Sequence, residues 1–218
     1  MSAVGLTRVQ RRVAKLVLAT AGRAGFRLAG GAALVASHLS QRPTRDIDAF
    51  TADDVDVSQV GVDVAHALSD AGYEVVFTRR SPAFASMTVT AGDARRGRFE
   101  VDLGRDHIAW PTTTTALGPT LSPRELAANK ILALFGRVQT RDLADVYALT
   151  DHFDLESMLA DAAVKDSGFD RTVLAEMIRL VVARPDPEWP VDADVGELRR
   201  FGAWLADMLV QPGPVEPA

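Results

Sequence analysis

The chain reads as a mixed α/β (α+β) fold, a mixed sheet flanked by helices and followed by an almost wholly helical part. Three observations predict it. Short stretches in which apolar and polar residues alternate recur between residues 26 and 103, separated by segments of helical periodicity. A Thr- and Pro-containing stretch, residues 105–121, then separates this region from a remainder with helical spacing. The composition, 47% hydrophobic and 24% charged over 218 residues, is that of a globular protein with one large domain or two small ones sharing a core. The expected division is an α/β core over 1–121, a helical part over 122–210 that completes the site, and a flexible tail at 211–218.

In order, Leu6, Val9, Val13, Leu16 and Val17 recur at helical spacing, with Arg8, Arg11, Arg12 and Lys15 on other faces. A solvated surface is the favoured reading of these cations, ahead of an RNA-backbone contact. Phe26 to Ala29 read as a strand, Gly30-Gly31 as a turn, and Ala32 to Leu39 as a helix broken by Gln41-Arg42-Pro43. Asp46 to Phe50 alternates, so Asp46 and Asp48 leave one strand face while Ile47 and Ala49 leave the other. A helix carrying Val62, Ala65 and Leu68 ends at Gly72. Strands follow at Tyr73–Thr78 and Phe84–Thr90, with a turn over Arg79-Arg80-Ser81-Pro82 between them. After a hairpin connection bearing Arg95, Arg96 and Arg98, Phe99–Leu103 alternates with Glu100 and Asp102 on one face. Residues 105–121 read as an irregular loop. Ser122 as N-cap, Pro123 at the first helical position and Glu125 three residues after the cap start a helix that carries Lys130 and Arg137. Arg141 to Leu149 forms another, and 154–166, 170–183 and 194–210 three more, the last after the linker 184–190.

Two carboxylates about 7 Å apart on one strand face repel unless a cation lies between them. Oxygen ligands of this kind suit Mg²⁺ or Mn²⁺, which bridge to substrate phosphates. Gly30 and Gly31 let backbone N–H groups approach the same phosphates. Asp102 becomes a third carboxylate, with a metal or general-base role, if its strand lies beside Asp46–Asp48. Together these parts outline a phosphoryl- or nucleotidyl-transfer site. Further on, Asp142 and Asp145 share one helical face, either as an internal salt-bridge cluster with Lys130 and Arg137 or as groups that orient a phosphate-binding cation.

The ordered pattern Gly-Gly-x-Ala-Leu … Arg-x-Thr-x-Asp-Ile-Asp-x-Phe, followed by Lys130 and Arg-x-x-x-Arg-Asp-x-x-Asp-x-Tyr, resembles the AbiEii/AbiGii family of nucleotidyltransferase toxins. That family includes the MenT toxins and belongs to the DNA polymerase β-like superfamily. The resemblance covers roughly residues 25 to 150. It implies a polymerase β-like fold and a toxin of a toxin–antitoxin system that adds nucleotide from an NTP to an RNA acceptor. The tRNA 3′ end is the implied acceptor, with a cognate antitoxin as partner. It implies Asp46, Asp48 and Asp102 as metal ligands, and adds Lys130, Asp142 and Asp145 to the catalytic set, with one of the two aspartates essential. Gly30, Gly31, Thr44, Arg45, Lys130 and Arg137 become the nucleotide-binding set, and Thr44 a candidate phosphorylation site that silences the enzyme.

A net charge of −5 argues against a surface coated by nucleic acid but leaves room for a local basic groove. The absence of cysteine excludes disulfides and thiolate metal sites and fits the cytoplasm. No apolar run is long enough to span a bilayer, so no membrane partner is expected. An RNA acceptor predicts a groove fed by Arg79, Arg80, Arg95, Arg96 and Arg98. A small acceptor such as an aminoglycoside predicts an acidic, enclosed pocket, and a non-catalytic NTP- or partner-binding domain predicts no transfer at all.

Overall fold

The computed structural model describes residues 5–44, 46–92, 97–190 and 193–211; Arg45, Arg95, Arg96 and the tail from 212 lie outside the described residues. The chain forms two compact units, Met1–Leu126 and Ala127–Ala218.

The first unit opens with α1 (Arg8–Ala21), started by a capping box in which Thr7 Oγ1 accepts from Gln10 N and Gln10 Oε1 accepts from Thr7 N. Then come β1 (Arg27–Ala29), α2 (Gly30–Ala36), β2 (Asp46–Thr51), α3 (Val57–Asp70), β3 (Glu74–Ser81), β4 (Phe84–Thr90) and β5 (Arg98–Arg105). Short strands β6 (Thr113–Thr115) and β7 (Gly118–Thr120) follow, and α4 (Pro123–Gly136) begins the helical part. Among the described residues the strands form one seven-stranded sheet in the order β3-β4-β5-β2-β1-β7-β6. It is mixed: β2 runs parallel to β5 and β1 parallel to β7, the other pairs being antiparallel.

The alternation in β2, β4 and β5 separates the two faces of the sheet. Ile47, Ala49, Met87, Val89, Val101 and Leu103 are fully buried on one face, each such large side chain contributing about 1.5–3 kcal/mol. Gly61 of α3 lies against Ala85, Phe77 and Met87, which places α3 on this apolar face, and α1 packs beside α3. The opposite face carries Asp46, Asp48, Glu100 and Asp102.

Two expectations are corrected. Arg79, Arg80 and Ser81 continue β3 rather than turning, because a bulge after Phe77 shifts the register and lets them pair with Ser86, Ala85 and Phe84. Residues 105–121 are not irregular throughout, since β6 and β7 form a hairpin that joins the sheet at β1. Three-residue strands are too short to show alternation, and these acquire their identity only by pairing. The remainder of that loop is pinned by Glu125, fully buried, whose Oε2 accepts from the N–H groups of Ala109 and Trp110 at 3.0 Å each. Those hydrogen bonds, with Arg124 stacked 4.6 Å over the Trp110 ring, hold the first turn of α4 in the first unit. The boundary between the two compact units lies within α4, after Leu126.

The second unit contains the rest of α4, then α5 (Thr140–Leu149), α6 (Leu155–Lys165), α7 (Arg171–Val182) and α8 (Val195–Val210). Asp154, Asp170 and Asp194 cap the last three. Gly202 brings α8 close to its neighbours: a Cβ there would stand 2.6 Å from Val182 Cγ2 and 2.9 Å from Leu143 Cδ2. No helix among the described residues is long and apolar enough to cross a membrane.

Candidate active site

The parallel register of β2 and β5 sets Asp48 directly opposite Asp102, and Asp46 opposite Glu100. Because successive side chains alternate, Asp46, Asp48 and Asp102 share the face away from α1 and α3. Ser86 of β4 lies opposite Asp102 on its other side and receives a hydrogen bond from Thr78 Oγ1 at 3.0 Å. Asp48 also neighbours Ala29, the last residue of β1. The next residue, Gly30, has φ +60°, and a methyl group there would fall inside the Asp48 carboxylate. Only glycine combines that backbone with such a close approach. Gly31 is similarly tight: a Cβ would stand 2.9 Å from Thr44 Oγ1 and 3.2 Å from Thr44 Cβ. The Gly-Gly pair therefore forms the wall beside the carboxylates and the Thr44 loop.

The donor set on this face consists of oxygen, suited to a hard divalent cation. Among the described residues no three acidic or histidine side chains gather around a single point. The register supplies a cross-strand pair, Asp48 and Asp102, with Asp46 beside it. That fits Mg²⁺, which is commonly held by one or two carboxylates together with substrate phosphates.

The second unit contains a separate constellation. Lys130 Nζ lies 2.8 Å from Asp145 Oδ2 and 3.4 Å from Asp142 Oδ1. Arg137 donates to both oxygens of Asp142, from Nε at 2.7 Å and from Nη2 at 3.0 Å. Both aspartates are buried, and the Lys130 side chain is only 9% exposed, whereas that of Arg137 is 45% exposed. Asp142 thus pairs with both Lys130 and Arg137, and Asp145 with Lys130, the internal salt-bridge cluster that was one of the two sequence expectations. Its spacing follows from α4, which carries Lys130 and ends one residue before Arg137, and from α5, which sets Asp142 and Asp145 on one face.

A family model described as "Nucleotidyl transferase AbiEii toxin, Type IV TA system" matches residues 16–209. The chain belongs to this family. It is a nucleotidyltransferase, and its sheet and helices form the polymerase β-like fold. No curated protein sequence matches it. Among solved structures, JHP933 from Helicobacter pylori shares the fold with TM-score 0.60 at 17% identity, over 93% of this chain and 89% of that one. MenT4, a nucleotidyltransferase toxin from Mycobacterium tuberculosis H37Rv, gives 0.61 at 16% identity, over 94% and 84%.

In this AbiEii-family chain the described arginines of the expected basic groove, Arg79, Arg80 and Arg98, are divided between the two sheet faces. Arg79 pairs with Ser86 and stacks 5.2 Å over Phe84, on the carboxylate face; Arg98, opposite Thr90, shares that face. Arg80 turns to the other side, its Nε donating to Ser58 of α3 at 3.1 Å and its guanidinium lying 4.9 Å over Phe77. The bulge decides this. Sequence reading also missed Gln10. Its Nε2 donates to the Thr44 carbonyl at 2.7 Å in a buried hydrogen bond, tying α1 to the loop before β2. A polar residue within an otherwise apolar helical stripe was the available signal. In the second unit the Tyr147 hydroxyl donates to Glu197 at 2.5 Å, and that carboxylate pushes the phenol above its ordinary range, with burial adding to it.

Proposed function

We propose that this nucleotidyltransferase transfers a nucleotidyl group from an NTP to the 3′ end of tRNA, as the toxin of a toxin–antitoxin pair, with Mg²⁺ or Mn²⁺ held by Asp46, Asp48 and Asp102. The observation that carries this reading is the Asp48–Asp102 cross-strand pair beneath the φ +60° backbone of Gly30. When bound, the cation stabilises charge on the transferring phosphoryl group. The chain's own residues do the rest. Asp48 and Asp102 hold the reacting groups from two strands whose register the sheet fixes, so no reorganisation is needed on binding. Gly30 and Gly31 present backbone without a Cβ, leaving the phosphates an unobstructed approach. Asp102 also accepts the proton of the acceptor hydroxyl. Lys130, taken from the family resemblance, is assigned to the β- and γ-phosphates, and Asp142 and Asp145 set its position. Family membership supports the toxin role and implies an antitoxin.

Thr44 is proposed as the point of silencing. It is 8% exposed, with Oγ1 3.4 Å from Asp46 N, so its modification requires the loop to open and would set a phosphate beside the carboxylates. Intact-mass measurement of toxin neutralised by co-expressed antitoxin tests this; an unmodified chain removes the idea.

The transfer itself is tested with total tRNA, Mg²⁺ and each NTP labelled at the α-phosphate, using wild type and Asp48→Ala. Label in tRNA with wild type alone supports the reading and names the nucleotide. Label in no RNA with any NTP overturns the acceptor and directs attention to a small molecule.

A further inference from the structure

One charged feature takes no part in the site described. Arg8, Arg11, Arg12 and Lys15 recur at i, i+3, i+4 and i+7 along α1, a single exposed stripe about 10 Å long. Val13, Val17 and Leu18 on the same helix are buried, which fixes the stripe outward. Together with Leu16 and Ala19 the four cations line an open groove of about 500 Å³. Arg12 is steadied by the Tyr73 ring at 6.0 Å and Arg11 by a hydrogen bond from Nε to Leu6 O at 3.1 Å. Among the described residues no carboxylate forms an ion pair with any of the four. In a chain of net charge −5 this is a concentrated, uncompensated positive patch.

We infer that this stripe docks the phosphate backbone of the RNA acceptor, gripping the body of the RNA rather than its reacting end. The inference rests on the RNA-acceptor reading above and extends it. Its length matches about three successive phosphates of one strand. Three of the four cations are arginines, whose planar fork pairs with phosphate oxygens. A protein partner fits less well. Protein interface cores are depleted in lysine and anchored by aromatic side chains, whereas this groove offers only Leu16 and Ala19 between its charges. Because α1 packs beside α3, on the apolar side of the sheet, the stripe does not look onto Asp48 and Asp102. Phosphates held there are not the ones that react, so the stripe acts on acceptor affinity and not on the chemical step.

The test is the binding of fluorescently labelled tRNA, followed by anisotropy across a salt series. Wild type is compared with a variant carrying Arg8→Ala, Arg11→Ala, Arg12→Ala and Lys15→Ala. The expected result is weaker binding, with a log–log salt slope shallower by about 0.7–0.9 for each phosphate left without its cation, roughly 2–3 for the three phosphates the stripe spans. In the transfer assay KM for tRNA rises while KM for the NTP stays at the wild-type value. A thermal melt confirms that the variant is folded, and single Arg11→Ala and Lys15→Ala variants serve if it is not. Unchanged affinity and slope overturn the inference. Tighter, tRNA-competitive binding of poly-glutamate to wild type but not to the variant also overturns it, reassigning the stripe to an acidic protein. The two readings fail separately. Label in tRNA with an unchanged slope removes the stripe alone; no label with a slope that falls removes the acceptor reading and leaves the stripe as an RNA-binding surface.

Discussion

Replacing Gly30 by Ala adds one methyl group where the backbone already has φ +60°. A left-handed backbone costs an L-residue about 1–2 kcal/mol. The added carbon would also fall within the Asp48 carboxylate, 2.7 Å from Cγ and 3.1 Å from Cβ. Asp48 must therefore swing out of its rotamer, at about 0.5–1.5 kcal/mol. Gly72 supplies the reference: its φ is +89° and a Cβ there meets nothing within 4 Å. Gly72→Ala thus isolates the backbone cost, while Gly30→Ala adds displacement of a carboxylate. Urea denaturation of both should show Gly72→Ala destabilised by about 1–2 kcal/mol and Gly30→Ala by about 1 kcal/mol more. In the tRNA-labelling assay Gly72→Ala should retain the wild-type rate. Gly30→Ala should lose on the order of 10²-fold, the usual consequence of misplacing a catalytic group by about 1 Å. A Gly30→Ala enzyme at the wild-type rate, or equal losses in the two variants, would refute the placement of Asp48 beneath Gly30.

Three further outcomes are expected. Lys130→Met removes a buried cation that lies 2.8 Å from Asp145 and 3.4 Å from Asp142 and should destabilise the chain by about 3–5 kcal/mol in urea; adding Asp145→Asn should recover part of this, and no recovery would show that the pair is not the source. Gln10→Ala strands the Thr44 carbonyl, at about 1–3 kcal/mol of stability, and should raise KM for the NTP; a loss confined to stability would limit Gln10 to a structural role. In a Tyr73→Phe background Tyr147 is the sole tyrosine, and its phenolate, followed by ultraviolet difference absorbance, should appear above the ordinary pKa of about 10. The Glu197 hydrogen bond favours the neutral phenol, so its contribution to stability is complete below the ordinary pKa and is lost as pH rises through the raised folded value. Glu197→Gln should lower that midpoint, and an unmoved midpoint would remove the assigned cause.

The local sequence alone determined the elements that carry the carboxylates. Alternation in Asp46–Phe50 and Phe99–Leu103 assigns each aspartate to a face because strand side chains repeat every two residues. The Gly-Gly pair, which opens α2 instead of forming a turn ahead of it, and the Ser122–Pro123–Glu125 helix start are equally local signals. Family membership was also legible there, in the ordered spacing of Gly30-Gly31, Asp46, Asp48, Lys130 and the Asp142–Asp145 pair. Which strands lie side by side was not legible. The pairing of Asp48 with Asp102 joins residues 54 apart in the chain and depends on the parallel β2–β5 register. Gln10 reaching Thr44 spans 34 residues, and no periodicity encodes it. Arg79 and Arg80 share a sequence run, yet a single bulge sends them to opposite faces. The hairpin at 113–120 exists as strand only because β1 offers it an open edge. Alternation and capping are set by neighbours a few bonds away, so the sequence carries them; register, bulges and edge pairing depend on hydrogen bonds between distant segments, and only the folded chain decides those.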